Sequence, residues 1–443
     1  MKRILVLGAG LVARPLVQYL LDVPEFQITV ASRTLSKAKR LVGDAPNGQA
    51  RIVNVDDKAA LEALVREADL AVSLLPYVYH PGVAGFCVKH GKQMVTTSYV
   101  KDAMLALHDD ATRAGVVLLN EIGVDPGIDH MSAMRVIHSI HDRGGKLTSF
   151  HSNTGGLPAP DANDNPMGYK FSWAPRGVVM AGKNPARFLD NKQTVDVPGE
   201  KLFSHHWPAE IAGFGTLEVY PNRDSVPYIE TYGIPEVETM FRGTLRYPGW
   251  CDTLMKIVEL GLLDETERSD LGGMSFAGLT ARLIHATEGP SLRAALAGHL
   301  GVAADSKPIT DLEWLGFLSD APLPEGATTL LDVLAMRMLE LMAYAPGERD
   351  MLVMQHEFVA RYSDGTREKT TSTMIDYGIP GGDTSMSRTV GLPAAIATRL
   401  ILQGRIDLTG VRTPVIPEIY EPVLSELERL GIGFEEKTES LPN

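Results

Sequence analysis

The chain has 443 residues with a formal charge of −13 and an acidic pI near 5.4, a balance that argues against nucleic acid or an anionic membrane as principal partner, since both select basic surfaces. An anionic ligand would therefore need locally placed cations. The length favours two or three domains, no stretch reaches the roughly 18 uncharged apolar residues of a membrane helix, and the only cysteines, Cys87 and Cys251, fit free thiols in a reducing, cytoplasmic compartment.

Ile4, Leu5, Val6 and Leu7 run without alternation, the pattern of a parallel strand buried on both faces, and a glycine-spaced turn follows directly. Gly8 permits the tight bend, Gly10 lets a pyrophosphate approach the backbone, and Ala13 is small enough for a helix to pack close to the strand. Leu11 and Val12 open that helix, expected over residues 11–21, and its first N–H groups suit phosphate oxygens. A glycine turn in some other α/β fold is the plain alternative.

The second strand, expected over 28–33, ends about 20 residues on, where NAD enzymes usually carry an acid for the ribose 2′-hydroxyl. Ser32, Arg33 and Thr34 stand there instead. Two hydroxyls flanking a guanidinium suit a 2′-phosphate, so NADP is expected rather than NAD, with a solvated surface charge as the bland account of Arg33.

Strands at 50–55, 70–76, 93–97 and 116–119 alternate with helices at 35–41, 61–67, 80–90 and 104–114, which is the rhythm of a Rossmann-type doubly wound parallel sheet. Asp56 and Asp57 close the third strand, where an acid lies near the adenine or caps a helix. Ligands of such sheets bind beyond the carboxyl ends of the strands. That directs attention to residues 75–79, beginning with Leu75, to 96–101, and to 120–130, which leads into an apolar helix. Beyond residue 150 the rhythm changes. Strands at 215–220, 238–247, 352–362 and 368–375 suggest a mixed α+β domain, residues 252–343 read as helical, and a last helix is expected over 393–403.

Several motifs then fall in order: Thr96-Thr97-Ser98-Tyr99-Val100, residues 120–130, Gly155-Gly156-Leu157-Pro158-Ala159-Pro160 and Gly168-Tyr169-Lys170-Phe171-Ser172-Trp173. Tyr220-Pro221-Asn222-Arg223-Asp224-Ser225, Arg242-Gly243-Thr244-Leu245-Arg246-Tyr247, Glu348-Arg349-Asp350-Met351 and Thr389-Val390-Gly391 follow. Together they resemble the saccharopine dehydrogenase family, NADP-dependent and L-glutamate-forming, also called saccharopine reductase. The resemblance is weakest between about residues 260 and 345. It implies a nucleotide domain at 1–124 to which 388–443 returns, a substrate domain at 125–250 and 346–387, and a helical insertion at 251–345.

It also implies the chemistry. Saccharopine is a secondary amine with three carboxylates; its oxidation passes a hydride from the lysine-derived ε carbon to NADP, and water splits the imine into L-glutamate and α-aminoadipate semialdehyde. Such a site must neutralise carboxylates and move protons on nitrogen and oxygen. Arg223 and Arg246 match the family's carboxylate-binding segments, with a structural ion pair as the alternative. Ser98, Tyr99 and Thr244 match substrate contacts. Tyr99 would place a hydroxyl near the reacting nitrogen, while Gly123 and Trp173 match cofactor neighbours. Asp125, ahead of a helix at the mouth of the crevice, is assigned to acid–base work or to holding the amine, against the alternative of a helix cap. Thr154 departs from the pattern, because the family commonly has cysteine before Gly-Gly-Leu-Pro, which puts any thiol role in doubt.

His205 and His206 are adjacent and lack ligand-spaced neighbours, so no metal is expected. The partners expected are small molecules, and the sequence leaves the oligomeric state open, a homodimer included. A reductase of another imine, such as the carboxynorspermidine type, is the nearest rival, though its one-carboxylate polyamine substrate would not call for both Arg223 and Arg246. A non-catalytic NADP-binding regulator is the rival from another class.

Overall fold

Ile4 to Leu7 are wholly buried in the first strand, β1 (Lys2–Leu7), as an unbroken apolar run between two helical layers requires. The computed structural model describes residues 1–172 and 175–442. The chain forms two compact units. One comprises Met1–Lys146, Tyr362–Asp364 and Met374–Glu436; the other comprises Leu147–Arg361, Gly365–Thr373 and the residues from Lys437 onward.

In the first unit β1 is followed by β2 (Phe26–Ser32), β3 (Gly48–Ile52), β4 (Leu70–Ser73), β5 (Gln93–Thr96) and β6 (Val117–Leu119). Their spatial order is β6-β5-β4-β1-β2-β3, all parallel, and a late strand at Gly410–Arg412 extends the sheet beyond β6. The order reverses between β1 and β4, which makes the loops after these two strands the binding crevice of the sheet. The intervening helices are α1 (Ala13–Leu21), α2 (Leu35–Val42), α3 (Lys58–Glu67), α4 (His80–His90), α5 (Asp102–Leu105) and α6 (His108–Arg113), and α7 (Ile128–Asp142) follows β6.

Four expectations shift. Helix α1 begins at Ala13 rather than residue 11, with Val12 as its N-cap. The third strand lies earlier than 50–55 and is largely exposed, being the edge of the sheet. The helix expected over 104–114 is broken into α5 and α6; Asp109 and Asp110 in the first turn of α6 favour a fresh helix N-terminus there. The helix expected last, over 393–403, starts at Ser385 because Thr384 caps it by accepting from Ser387 N, accommodates Pro393 inside, and is followed by a further helix, Pro417–Arg429.

The second unit is built on a mixed sheet. β7 (Lys146–Pro158) pairs in parallel with a later strand; a hairpin of β8 (Ala186–Asp190) and β9 (Gln193–Val197) precedes β10 (Trp207–Ile211), β11 (Gly215–Pro221), β12 (Thr239–Arg246), β13 (Asp350–Arg361) and β14 (Arg367–Tyr377). The order is β10-β11-β12-β7-β13-β14, closed by the strand Glu435–Leu441, and the hairpin joins through β8 on β12. The long strand β7 is not anticipated by the sequence, since Ser152, Asn153, Gly155 and Gly156 dilute its β-forming content. Helices Trp250–Glu259, Phe276–Leu283, Leu292–His299, Lys307–Trp314 and Leu330–Leu341 belong to the same unit. Among the described residues no helix is long and apolar enough to cross a membrane.

Candidate active site

The turn after β1 is shaped by steric necessity. Gly8 has φ +109°, and a Cβ there would stand 3.0 Å from the Leu74 carbonyl oxygen, whereas the same position on Gly10 opens onto free space. Leu11 is 72% exposed, Leu75 is half-buried, and the first turn of α1 carries no acidic side chain to oppose an anion. At the end of β2, Thr34 N donates to Ser32 Oγ at 3.3 Å. Thr34 caps α2 without using its hydroxyl, and exposed Arg33 makes no ion pair among the described residues. An open glycine turn on a helix N-terminus, with hydroxyl, guanidinium and hydroxyl beyond β2, fits a dinucleotide bearing a 2′-phosphate. Asp56 is exposed with its N–H bonded to Asn54 Oδ1, while the helix-capping role falls to Asp57, which accepts from Ala60 N. Trp173 lies outside the described residues.

The chemistry-bearing segment of the first unit follows β5 and β6. Glu121 N donates to Ser98 O (3.1 Å), Ile122 N donates to Thr96 O (3.3 Å), and Val100 N donates to Glu121 Oε1 (2.8 Å), so the two loops are sewn together. Buried Glu121 also meets His130 Nε2 at 2.9 Å through its other oxygen, and its own backbone is left-handed at φ +57°. Gly123 N donates to Pro126 O, and Asp125–Pro126 is a cis peptide. Gly127 has φ +147°, and a Cβ on it would sit 2.1 Å from Gly123 O, so only glycine closes this loop. The first N–H groups of α7 do not rely on Asp125: Gly127 N and His130 N donate to Asp129 Oδ1 at 2.6 and 2.8 Å. Half-buried Asp125 instead accepts from the hydroxyl of Tyr99, 2.7 Å away. A carboxylate held by a phenol at the carboxyl end of a parallel sheet can take or return a proton.

The second unit gathers a polar face across three strands. Thr154 of β7 pairs with Thr244 of β12, and Thr244 pairs with Tyr220 of β11, so all three side chains emerge on one face. Arg246, two residues along β12, shares that face. Its guanidinium carbon lies 4.8 Å from the ring centre of Tyr169, 5.6 Å from Trp250 and 5.9 Å from Tyr220. Arg246 is 5% exposed, yet no carboxylate lies within ion-pair distance of it among the described residues; Nη1 donates to Leu245 O and Nε has no partner. The Thr154 hydroxyl is likewise buried without a partner. Orphaned buried groups of this kind cost about 1–3 kcal/mol each, more when charged, and so ask for an anionic ligand with several acceptor atoms.

The nearest buried acid on this face, Glu218, is committed elsewhere, accepting from Gly249 N and Cys251 N at the start of the helix Trp250–Glu259. Burial pushes the Tyr220 hydroxyl up to about 12, an effect that Arg246 offsets only partly. Burial and Glu218 likewise push the Cys251 thiol well up, which leaves it unreactive. Arg223 is exposed and holds a left-handed backbone at φ +58°, a conformation that costs a non-glycine residue about 1–2 kcal/mol.

Ser98, Tyr99 and Asp125 thus belong to the first unit, and Thr154, Arg223, Thr244 and Arg246 to the second. Three residues escape sequence reasoning. Tyr220 and Trp250 reach Arg246 only through strand register and ring packing. His80 is visible in sequence only as a helix start, yet it touches Ser98 directly. Among the described residues no three His, Cys, Asp or Glu side chains cluster closely enough to hold a metal ion.

Residues 4–119 match the family model described as the saccharopine dehydrogenase NADP binding domain, and residues 123–432 match the saccharopine dehydrogenase C-terminal domain. The chain is 43% identical to saccharopine dehydrogenase [NADP(+), L-glutamate-forming] of Schizosaccharomyces pombe over 447 residues, covering 99% of each. It is 40% identical to the enzyme of that name from Saccharomyces cerevisiae with the same coverage. The solved apo structure of the histidine-tagged yeast enzyme has a TM-score of 0.92 at 38% identity, covering 99% of this chain and 100% of that one. In sequence and in fold, along its whole described length, the chain belongs to the saccharopine dehydrogenase family.

Proposed function

We propose that this chain interconverts saccharopine with L-glutamate and α-aminoadipate semialdehyde, using NADP. Beyond the family itself, the observation that carries the reading is Arg246. A buried cation without a carboxylate partner, on one sheet face with Thr154 and Thr244, supports a substrate that brings its own carboxylates.

The dinucleotide would be held by the backbone of Gly8, Gly10, Leu11 and Val12, with Ser32, Arg33 and Thr34 on its 2′-phosphate, and when bound it supplies the hydride acceptor. Asp125 takes the proton that the substrate nitrogen releases as the carbon–nitrogen double bond forms. Tyr99 keeps the Asp125 carboxylate oriented and stabilises its charge. The proton taken from nitrogen passes on to solvent, and when water adds to that carbon the freed Asp125 carboxylate accepts the proton lost by the water. It returns a proton to nitrogen as the carbon–nitrogen bond breaks, releasing glutamate as the amine and leaving the aldehyde. Arg223 and Arg246 hold substrate carboxylates, with Thr154, Thr244 and Ser98 adding hydroxyl contacts. We further propose a reducing cytoplasmic setting, which buried, unpaired Cys87 and Cys251 support.

Mass analysis of the products tests the reading. Saccharopine and NADP should give L-glutamate and the semialdehyde in equal amounts. Formation of lysine and 2-oxoglutarate would mean that the hydride leaves the other carbon attached to nitrogen, and the assignment would be wrong.

A further inference from the structure

His80 opens α4 and lies, 2% exposed, against the carboxyl ends of β4 and β5. Ser73 and Thr96, the last residues of those strands, are in register, and the imidazole bridges them. Nδ1 is 2.9 Å from Ser73 Oγ, while Nε2 is 2.9 Å from Ser98 Oγ and 3.2 Å from Thr96 Oγ1. Both ring nitrogens are therefore engaged by hydroxyls, and among the described residues no carboxylate touches the ring. Burial lowers the ring's pKa to about 4, so at neutral pH it has one N–H and one lone pair.

A neutral imidazole in this position imposes direction on its neighbours. With the hydrogen on Nε2, the ring donates to Ser98, whose own hydroxyl hydrogen is then free for a substrate oxygen. With the hydrogen on Nδ1, the ring donates to Ser73 and accepts from Ser98, which then presents only lone pairs. Either way Ser98 cannot rotate freely, and its half-buried side chain is pinned where the β5 loop meets the Tyr99–Asp125 pair.

We propose that His80 is a positioning residue that acts through Ser98, fixing whether Ser98 presents its hydroxyl hydrogen or its lone pairs to saccharopine. The proposal rests on the reading that Ser98 contacts substrate. It assigns His80 no contact of its own with substrate or cofactor.

A double-mutant cycle on the full-length enzyme tests it, using Ser98→Ala, His80→Phe and the pair, with KM measured separately for saccharopine and NADP. His80→Phe keeps the ring's shape but not its hydrogen bonds. The KM for saccharopine should rise about tenfold in each single variant, with the KM for NADP within twofold of the parent, and the double variant should be no worse than Ser98→Ala alone. His80→Gln, which restores a polar group near the Nε2 position, should recover most of the loss; it also serves as the readout if His80→Phe fails to fold.

Independent, multiplying losses in the double variant would overturn the role of His80 while leaving that of Ser98 intact. A Ser98→Ala enzyme with unchanged saccharopine KM would overturn the Ser98 contact and the proposal with it. A parent enzyme that does not turn over saccharopine at all would instead overturn the proposed function. A rise confined to the KM for NADP in His80→Phe would also overturn the proposal, by assigning the ring to cofactor binding.

Discussion

The hydroxyl of Tyr99 donates to Oδ1 of Asp125 across 2.7 Å, joining the loop after β5 to the loop after β6. The carboxylate is thereby held in one orientation at the carboxyl end of the sheet, and the helix behind it is capped by a different acid, Asp129. Asp125→Asn should lower kcat about 10²–10⁴-fold, the usual contribution of a positioned acid–base group. Tyr99→Phe should lower kcat by about tenfold. Weaker saccharopine binding with normal kcat in Asp125→Asn would instead assign Asp125 to holding the amine.

Arg246 gives a test that separates ligand binding from structure. If the cation awaits a substrate carboxylate, Arg246→Met should cut kcat/KM for saccharopine by about 10–100-fold with the KM for NADP unchanged. Thermal stability should hold or improve, because a buried charge without a counter-ion is replaced by an apolar chain of similar length. A structural ion pair predicts the reverse: a loss of about 3–5 kcal/mol of stability, read by urea unfolding, with little change in binding. Thr154→Val, which removes only the unpartnered hydroxyl, should raise the KM for saccharopine by less than Arg246→Met does.

Arg33 is the charged member of the Ser32, Arg33 and Thr34 set on which the choice of NADP over NAD turns. Arg33→Asp should raise the KM for NADP by about 10–100-fold while leaving that for NAD nearly unchanged, since a charge-assisted bond to phosphate is worth about 1.5–3 kcal/mol. If the side chain is an ordinary surface charge, both constants will move by less than twofold.

Gly127 has a steric role that substitution exposes directly. Alanine there would place Cβ against Gly123 O at a φ of +147°, so the loop carrying Asp125 must distort. Gly127→Ala should lose most activity and at least about 2 kcal/mol of stability, measured by denaturant unfolding. Parent-like turnover in the variant would mean that the loop is not held as described.

His80 also predicts how stability depends on pH. Its pKa is lowered by burial from 6.5 to about 4 in the folded chain, so below pH 6.5 the unfolded chain binds the extra proton first. The contribution is fully present above pH 6.5 and is lost as pH falls toward 4, amounting to about 3 kcal/mol at the acid end. In His80→Gln that part of the slope should vanish in urea titrations between pH 4 and 6.5. An unchanged slope would show that His80 is not buried and neutral.

What could be read from the sequence follows the reach of the interactions. The parallel sheet was legible because its inner strands are local apolar runs closed by punctuation residues, and the glycine turn and Arg33 lie on the same short stretch; the exposed edge strand β3 has no such run and was placed too late. Asp125 and Tyr99 could be named from their motifs, but their bond joins residues in two separate loops. The polar face around Arg246 depends on the register of three strands, Tyr220 with Thr244 and Thr244 with Thr154, and register is not written in any single strand. β7 was missed for a related reason: its glycines, serine and asparagine look like loop until neighbouring strands satisfy their backbone groups. His80 shows the same limit, since its partners Ser73, Thr96 and Ser98 converge only at the ends of adjacent strands.

The absorbance of reduced nicotinamide, followed when purified protein is mixed with saccharopine in parallel with NADP and with NAD, tests the activity itself. Saccharopine-dependent reduction, faster with NADP, is expected. Nucleotide binding, seen by thermal shift, without reduction of either cofactor would contradict it.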